Sequence, residues 1–153
     1  GDTVVENEEE VKQNWEKLKL KEGKKSVLEG VPRSLPALVK ASRIQDKVKG
    51  VGFDWEEPHQ VWDKVQEELQ ELQEEVVTGN QDKMESEFGD VLFSMINYAR
   101  FLNINPEDAL ERTNKKFIKR FQYLESKAEE LRKRLMDMTL AEMDVFWNEA
   151  KKL

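Results

Sequence analysis

Apolar residues recur at steps of three and four along most of this chain, and the runs are broken by Gly, Pro and Asn signals, so the pattern predicts helices throughout. Residues 1–8 are polar and acidic and predict no ordered element. A first short helix is expected over Glu9–Glu22, with Val11, Trp15 and Leu18 on one stripe, ending in the polar run Lys21–Ser26. After GVPRSLPAL, Ser34 is expected to cap a second helix with Pro36 just inside, running to Lys49 with Leu38, Ala41, Ile44, Gln45 and Val48 on one side. Gly50 and Gly52 stop it. The loop VGFDWEEPH follows, and Pro58 opens a helix whose apolar positions are Trp62, Val65, Leu69, Leu72 and Val76. Thr78-Gly79-Asn80 is a tight turn, and a partner helix then runs from Asp82 to about Leu102. Its expected buried face is Met84, Phe88, Val91, Leu92, Met95, Ile96 and Ala99. Asn105 and Pro106 restart a long helix to about Met136, with Leu110, Phe117, Phe121, Leu124, Ala128, Leu131 and Leu135 in its seam. Thr139-Leu140-Ala141-Glu142 is a capping box for a last helix carrying Met143, Phe146, Trp147 and Ala150.

Short connections between these helices predict an all-α, antiparallel bundle with a four-helix-type core. The long helix, about 31 residues at ~1.5 Å each, would span about 46 Å, more than a compact monomer needs, and this predicts a homodimer. A faint repeat pairs Glu10-Val11, Trp15 and Leu18-Lys19 with Glu142-Met143, Trp147 and Ala150-Lys151.

The predicted hairpin changes the picture from architecture to chemistry. Glu68 and Glu71 stand three apart before Gly79, and Glu87 and Asp90 three apart after it. Their spacing about the turn is symmetric, so folding back would bring four carboxylates to one level. Such a group repels itself unless a cation sits in it. Taken alone, an acidic run such as QEELQELQEE reads as a solvated face. The second pair is different, because it sits among Phe88, Val91, Leu92, Phe93, Met95 and Ile96, and its stripe continues into Ser94 and Asn97. That polar stripe reads better as the lining of a site than as surface.

Composition narrows the metal. Cysteine is absent and His59 is the single histidine, so oxygen ligands dominate and Mg²⁺ or Mn²⁺ fits best. His59 follows Glu56 by three, but Pro58 intervenes, and the pair is not expected to ligate. Twenty-five basic against 32 acidic residues give a net charge of −7, which argues against general nucleic-acid binding. No apolar run is long enough to span a membrane and no secretory signal is visible, so the expected home is the cytoplasm. Lys116 and Arg120 share a face of the long helix beside its aromatics, and suit phosphate oxygens if they are not simply a solvated basic stripe. Phe53, Trp55 and Trp147 are candidates for stacking on a base, though core packing is the commoner fate of each.

These residues resemble the MazG family of nucleoside triphosphate pyrophosphohydrolases, within the all-α NTP pyrophosphatase superfamily. The resemblance rests on Glu67-Glu68-Leu69-Gln70-Glu71, on Glu87-Phe88-Gly89-Asp90, on VGFDW at 51–55, on EFGDVLFSMINYAR at 87–100 and on NKKFIKRF at 114–121, and covers roughly 30–152. It implies Mg²⁺-dependent cleavage (Mn²⁺ a possible substitute) of an NTP or dNTP between the α and β phosphates, giving NMP and pyrophosphate. It implies Glu68, Glu71, Glu87 and Asp90 as metal ligands and catalytic residues. Asn97, Lys116 and Arg120 match positions that contact nucleotide or phosphates, and Trp147 and Lys151 match a further binding pair. Glu67, an acid outside the ligand set, is the candidate base. The resemblance also implies a helical dimer, and reads residues 1–29 as the linker and tail of a preceding related domain, with 30–153 as the domain itself. The alternatives are a narrower dUTP- or dCTP-directed enzyme and a non-catalytic helical dimerisation module.

Overall fold

The structure, a computed structural model, describes residues 8–21 and 25–153. The helices are α1 (Glu8–Lys21), α2 (Ala37–Lys49), α3 (Pro58–Thr78), α4 (Gln81–Phe101), α5 (Pro106–Glu130) and α6 (Leu140–Ala150), with one 3₁₀ turn at Leu135–Asp137. No strand occurs among the described residues, and none of their helices is long and apolar enough to cross a membrane. Of residues 1–8, read from sequence as unordered, 1–7 lie outside the described residues, as do 22–24 of the polar run, while Glu8 opens α1. The chain divides into two compact units, residues 1–106 and 107–153.

The first unit is organised by the α3–α4 hairpin. Gly79 adopts φ +76°, the left-handed conformation that ends a helix without a Cβ clash, and its N–H donates to the Glu75 carbonyl at 3.0 Å. Asn80 then caps α4, its Oδ1 accepting the Lys83 N–H at 3.0 Å. The two helices are thereby joined by two residues and pack antiparallel along their length. At the other end of α3, Glu57 and Gln60 form a capping box around Pro58. Val61 and Val65 of α3 are fully buried, and Val91 and Ile96 are buried on α4. Helix α2 lies on α4, where the buried Gln45 donates from Nε2 to the Phe93 carbonyl at 2.9 Å.

Three expectations are corrected here. Ser34 does not cap α2; the helix begins at Ala37 with Pro36 in the cap position, because a residue before proline is pushed out of the helical region and the helix cannot reach back past Leu35. The long helix stops at Glu130, at 25 residues or about 37 Å. Its end is set by Arg132 at φ +54°, with the Lys133 N–H closing back on the Ala128 carbonyl at 3.0 Å. A helix of this length gives no support to a dimer. The buried stripes also differ. On α3 it is Val61, Val65 and Glu68 that face inward, while Trp62, Leu69 and Val76, spaced by seven, are exposed. On α4 Phe88, Leu92 and Met95 are exposed, and Val91, Ser94 and Ile96 are buried.

In the second unit α5 meets α6 at Phe117, whose ring lies 5.0 Å from Trp147 and 6.2 Å from Phe121, and Leu124, Ala128, Met138 and Ala150 are buried. The capping box read from the sequence is present. Thr139 Oγ1 accepts the Glu142 N–H at 3.1 Å, and Glu142 Oε1 accepts the Thr139 N–H at 3.3 Å. Lys133, 3.0 Å from Glu142, and that backbone N–H hold the Glu142 carboxyl below its usual range.

Candidate functional site

Helix periodicity puts Glu68 on the buried stripe of α3, one step on from Val61 and Val65. Glu71 follows one turn later and Glu87 reaches across from α4. One carboxylate oxygen from each of Glu68, Glu71 and Glu87 lies within 4.8 Å of the other two. Glu68 is only 6% exposed, which for an acid demands partners. It has one, Lys64, whose Nζ stands 3.0 Å from Glu68 Oε1 and 3.5 Å from Glu67 Oε1. Hydrogen bonding to Glu68 holds the Lys64 ammonium above its usual range. The remaining oxygens are not satisfied: Glu68 Oε2 and Glu87 Oε2 are buried without a partner.

Three acids this close do not ionise together. The negative charge of Glu68, then loss of hydration, then the charge of Glu87, push Glu71 from its ordinary 4.5 up to about 7. Orphaned buried carboxylate oxygens beside a proton held at neutral pH are the arrangement that a hard divalent cation relieves. It replaces the proton, supplies the missing partners and offsets the repulsion. The donor set is all oxygen, so it suits Mg²⁺ or Mn²⁺ and does not suit zinc. The residues present therefore fit the cation that the sequence implies.

The other candidates are distributed as follows. Asp90 is exposed and lies outside the group of three. A step of three turns it about 60° around α4 from Glu87, and its side chain is one methylene shorter. Glu67 is exposed, its carboxylate facing Lys64. The stripe beyond Glu87 is less of a lining than its sequence suggests. Ser94 is buried, but its hydroxyl donates to the Val91 carbonyl of its own helix at 2.8 Å. Asn97 is partly buried and its Oδ1 accepts from Arg100 Nη2 at 2.6 Å. Phe53, for which core packing was the commoner expectation, is 78% exposed, and Trp55 and His59 are exposed as well.

Lys116, Arg120 and Lys151 belong to the second unit, where they line one hollow of about 390 Å³ with Lys119, Gln122 and Tyr123. Four basic side chains, Lys116, Lys119, Arg120 and Lys151, face this hollow, while Tyr123 donates its hydroxyl to Glu149 Oε2 at 2.8 Å beside it. Trp147 packs instead on Phe117. One group escaped the sequence reading. Asp54, in the VGFDW loop, takes a bidentate pair from Arg100 on α4 at 3.0 and 2.7 Å, both side chains being 17% exposed. The two are 46 residues apart, and no periodicity links a loop aspartate to a helix arginine.

The MazG nucleotide pyrophosphohydrolase domain family matches residues 56–124, the span that carries all the candidate carboxylates together with Lys116 and Arg120. A Thermotoga maritima protein, nucleoside triphosphate pyrophosphohydrolase/pyrophosphatase MazG, is 41% identical over 140 residues, which is 90% of this chain and 54% of that protein. An Escherichia coli K12 nucleoside triphosphate pyrophosphohydrolase is 38% identical over 158 residues, 99% of this chain and 60% of that protein. YabN of Bacillus subtilis, described as uncharacterized, is 46% identical over 154 residues, 98% of this chain and 32% of that protein. The chain thus spans little more than half the length of the first two relatives. With that similarity carried on the helices that build the carboxylate cluster, the chain belongs to the MazG family.

Proposed function

We propose that this chain is a nucleoside triphosphate pyrophosphohydrolase domain, cleaving an NTP or dNTP between the α and β phosphates to NMP and pyrophosphate. The observation that carries the reading is the cluster of Glu68, Glu71 and Glu87, with two buried carboxylate oxygens lacking any partner. Those three, with Asp90 joining from the next turn of α4, would hold Mg²⁺, or Mn²⁺ in its place. A bound ion of this kind offsets phosphate charge and makes a bound water more acidic.

The chain's own groups do the rest. Glu71 gives up its proton above about pH 7, which completes the anionic set. Lys64 neutralises Glu68 in the meantime. Glu67, an exposed acid next to Lys64, is the group proposed to accept the proton of the attacking water. Lys116, Arg120 and Lys151 are proposed to take phosphate oxygens, Arg120 bidentately, and so to stabilise the leaving pyrophosphate. Asn97 and Trp147 are proposed as nucleoside contacts. Incubation with Mg²⁺ and a panel of NTPs and dNTPs, followed by product identification, tests this. NMP and pyrophosphate are expected. NDP and phosphate would contradict the bond assigned, and no turnover with any nucleotide would favour the non-catalytic module. A panel answering only to dUTP or dCTP would favour the narrower enzyme.

A helical homodimer is also proposed, with a four-helix-type core. Its support is no longer helix length but the exposed apolar row of Trp62, Leu69 and Val76 on α3, with Phe88 and Leu92 on α4. Light scattering is expected to give twice the chain mass of 18.0 kDa, and a mass of one chain at micromolar concentration would sink the proposal. The net charge of −7 and the proposed substrate fit a cytoplasmic protein that does not bind nucleic acid. The tandem arrangement, with residues 1–29 as the tail of a preceding domain, stays a proposal of the same kind.

A further inference from the structure

We propose that Arg100, pinned by Asp54, is a positioning residue. It fixes the Asn97 amide as a hydrogen-bond donor to an oxygen of the nucleoside end of the substrate, and the proposal rests on the nucleotide reading above. A guanidinium has donors only, so the Asn97 atom that meets Arg100 Nη2 at 2.6 Å must be Oδ1. The amide NH₂ is therefore turned away from Arg100, and what Asn97 offers to a ligand is a donor.

Arg100 itself is held on several sides. Its Nη1 and Nη2 donate to the two oxygens of Asp54 at 3.0 and 2.7 Å, and the guanidinium carbon stands 5.1 Å from the Phe101 ring centroid. Asp54 is fixed in turn, its Oδ1 accepting the Trp55 N–H at 2.9 Å. The loop is anchored at its start, where the Phe53 N–H donates to the Val48 carbonyl at 3.0 Å just after Gly52 at φ +91°. A chain of four groups (Val48, the 53–55 loop, Arg100, Asn97) thus ends on a single oriented amide.

The position of that amide selects the end of the substrate. Asn97 follows Glu87 by ten residues on α4, about 15 Å at ~1.5 Å per residue. With phosphates at the Glu68–Glu71–Glu87 cluster and the nucleotide laid along α4, this rise exceeds the triphosphate chain, and the proposal therefore gives the amide to the sugar or base. The acceptors there are ribose hydroxyl and base carbonyl oxygens.

The test separates the nucleoside from the phosphates. Affinities of the intact chain with Mg²⁺ are measured for α,β-methylene-ATP, which cannot be cleaved at the proposed bond, and for inorganic tripolyphosphate. Arg100→Lys keeps the charge but loses the fork, and Asn97→Ala removes the amide without touching the Asp54–Arg100 pair. Each is expected to weaken α,β-methylene-ATP about tenfold while leaving tripolyphosphate nearly unchanged. Asn97→Ala carries the test should Arg100→Lys fail to fold. Equal weakening of both ligands would show a merely structural role and overturn the proposal, as would no change in either or a wild type that binds neither. Failure of the enzymatic reading is distinct: a wild type that binds the analogue with this selectivity but releases no pyrophosphate overturns the activity and leaves the positioning role standing.

Discussion

Glu71→Gln is expected to remove turnover, by a factor on the order of 10³ or more, and at the same time to make the metal-free protein more stable at pH 8. Both effects follow from one geometry. Glu71 is the acid whose proton is held by its neighbours, from 4.5 up to about 7. A carboxyl whose folded pKa is raised contributes stability that is complete below its unfolded value and lost as pH rises through the folded one. The metal-free wild type should therefore lose stability between about pH 4.5 and pH 7, and carry three adjacent negative charges above that. Glutamine keeps the shape and removes one charge, so the repulsion falls. The same change deletes a ligand, so activity falls. Thermal unfolding at pH 8 without added cation, alongside a pyrophosphate-release assay, checks the pair. A variant that turns over at the wild-type rate would remove the metal-cage argument, and one that is simply less stable at pH 8 would contradict the charge argument.

Arg100→Ala carries the largest expected cost to folding, about 2 kcal/mol, below the ~3–5 kcal/mol of a fully buried ion pair because each side chain keeps 17% of its surface in water and Asp54 sits on an exposed loop. The loss has three parts. Asp54 loses its cation and keeps only the Trp55 N–H, Asn97 Oδ1 loses its donor, and the Phe101 ring loses its cation. For a chain of this size the melting temperature should drop by roughly 5–10 °C. The control is the double variant Asp54→Ala/Arg100→Ala. It removes both charges and should recover part of the loss, since most of the cost lies in stranding the survivor. A single variant within experimental error of wild type would show that the loop is not tethered by this pair.

What the sequence made legible is what depends on neighbours in the chain. The α3–α4 hairpin was readable because Gly79 and Asn80 are the residues a left-handed stop and an N-cap require, and the pairing of Glu68 and Glu71 with Glu87 follows from counting about that turn. The Thr139–Glu142 box is equally local. The end of α5 was not readable, because its left-handed residue is Arg132, with nothing in its side chain to announce the conformation. Nor was the buried face of α3: the stripes through Val61–Val65 and through Trp62–Leu69–Val76 are both apolar, and only the packing of α4 decides between them. Within the site, counting about Gly79 brings Glu87 to Glu68 and Glu71, while Asp90, one step of three further along α4, stands exposed beside that group. The Asp54–Arg100 pair is wholly tertiary, and appears only once the loop is laid against α4.

The central claim is that Glu68, Glu71 and Glu87 form a cage for a hard divalent cation, and the most direct test is the rise in melting temperature on adding Mg²⁺, measured at pH 5.5 and at pH 8. A cation that binds only the folded cage stabilises it, and below about pH 7 it must first displace the proton on Glu71. The account predicts a clear rise at pH 8, a smaller one at pH 5.5, and little or none at either pH in Glu68→Gln. A rise of the same size at both pH values, or one that survives unchanged in Glu68→Gln, would contradict it.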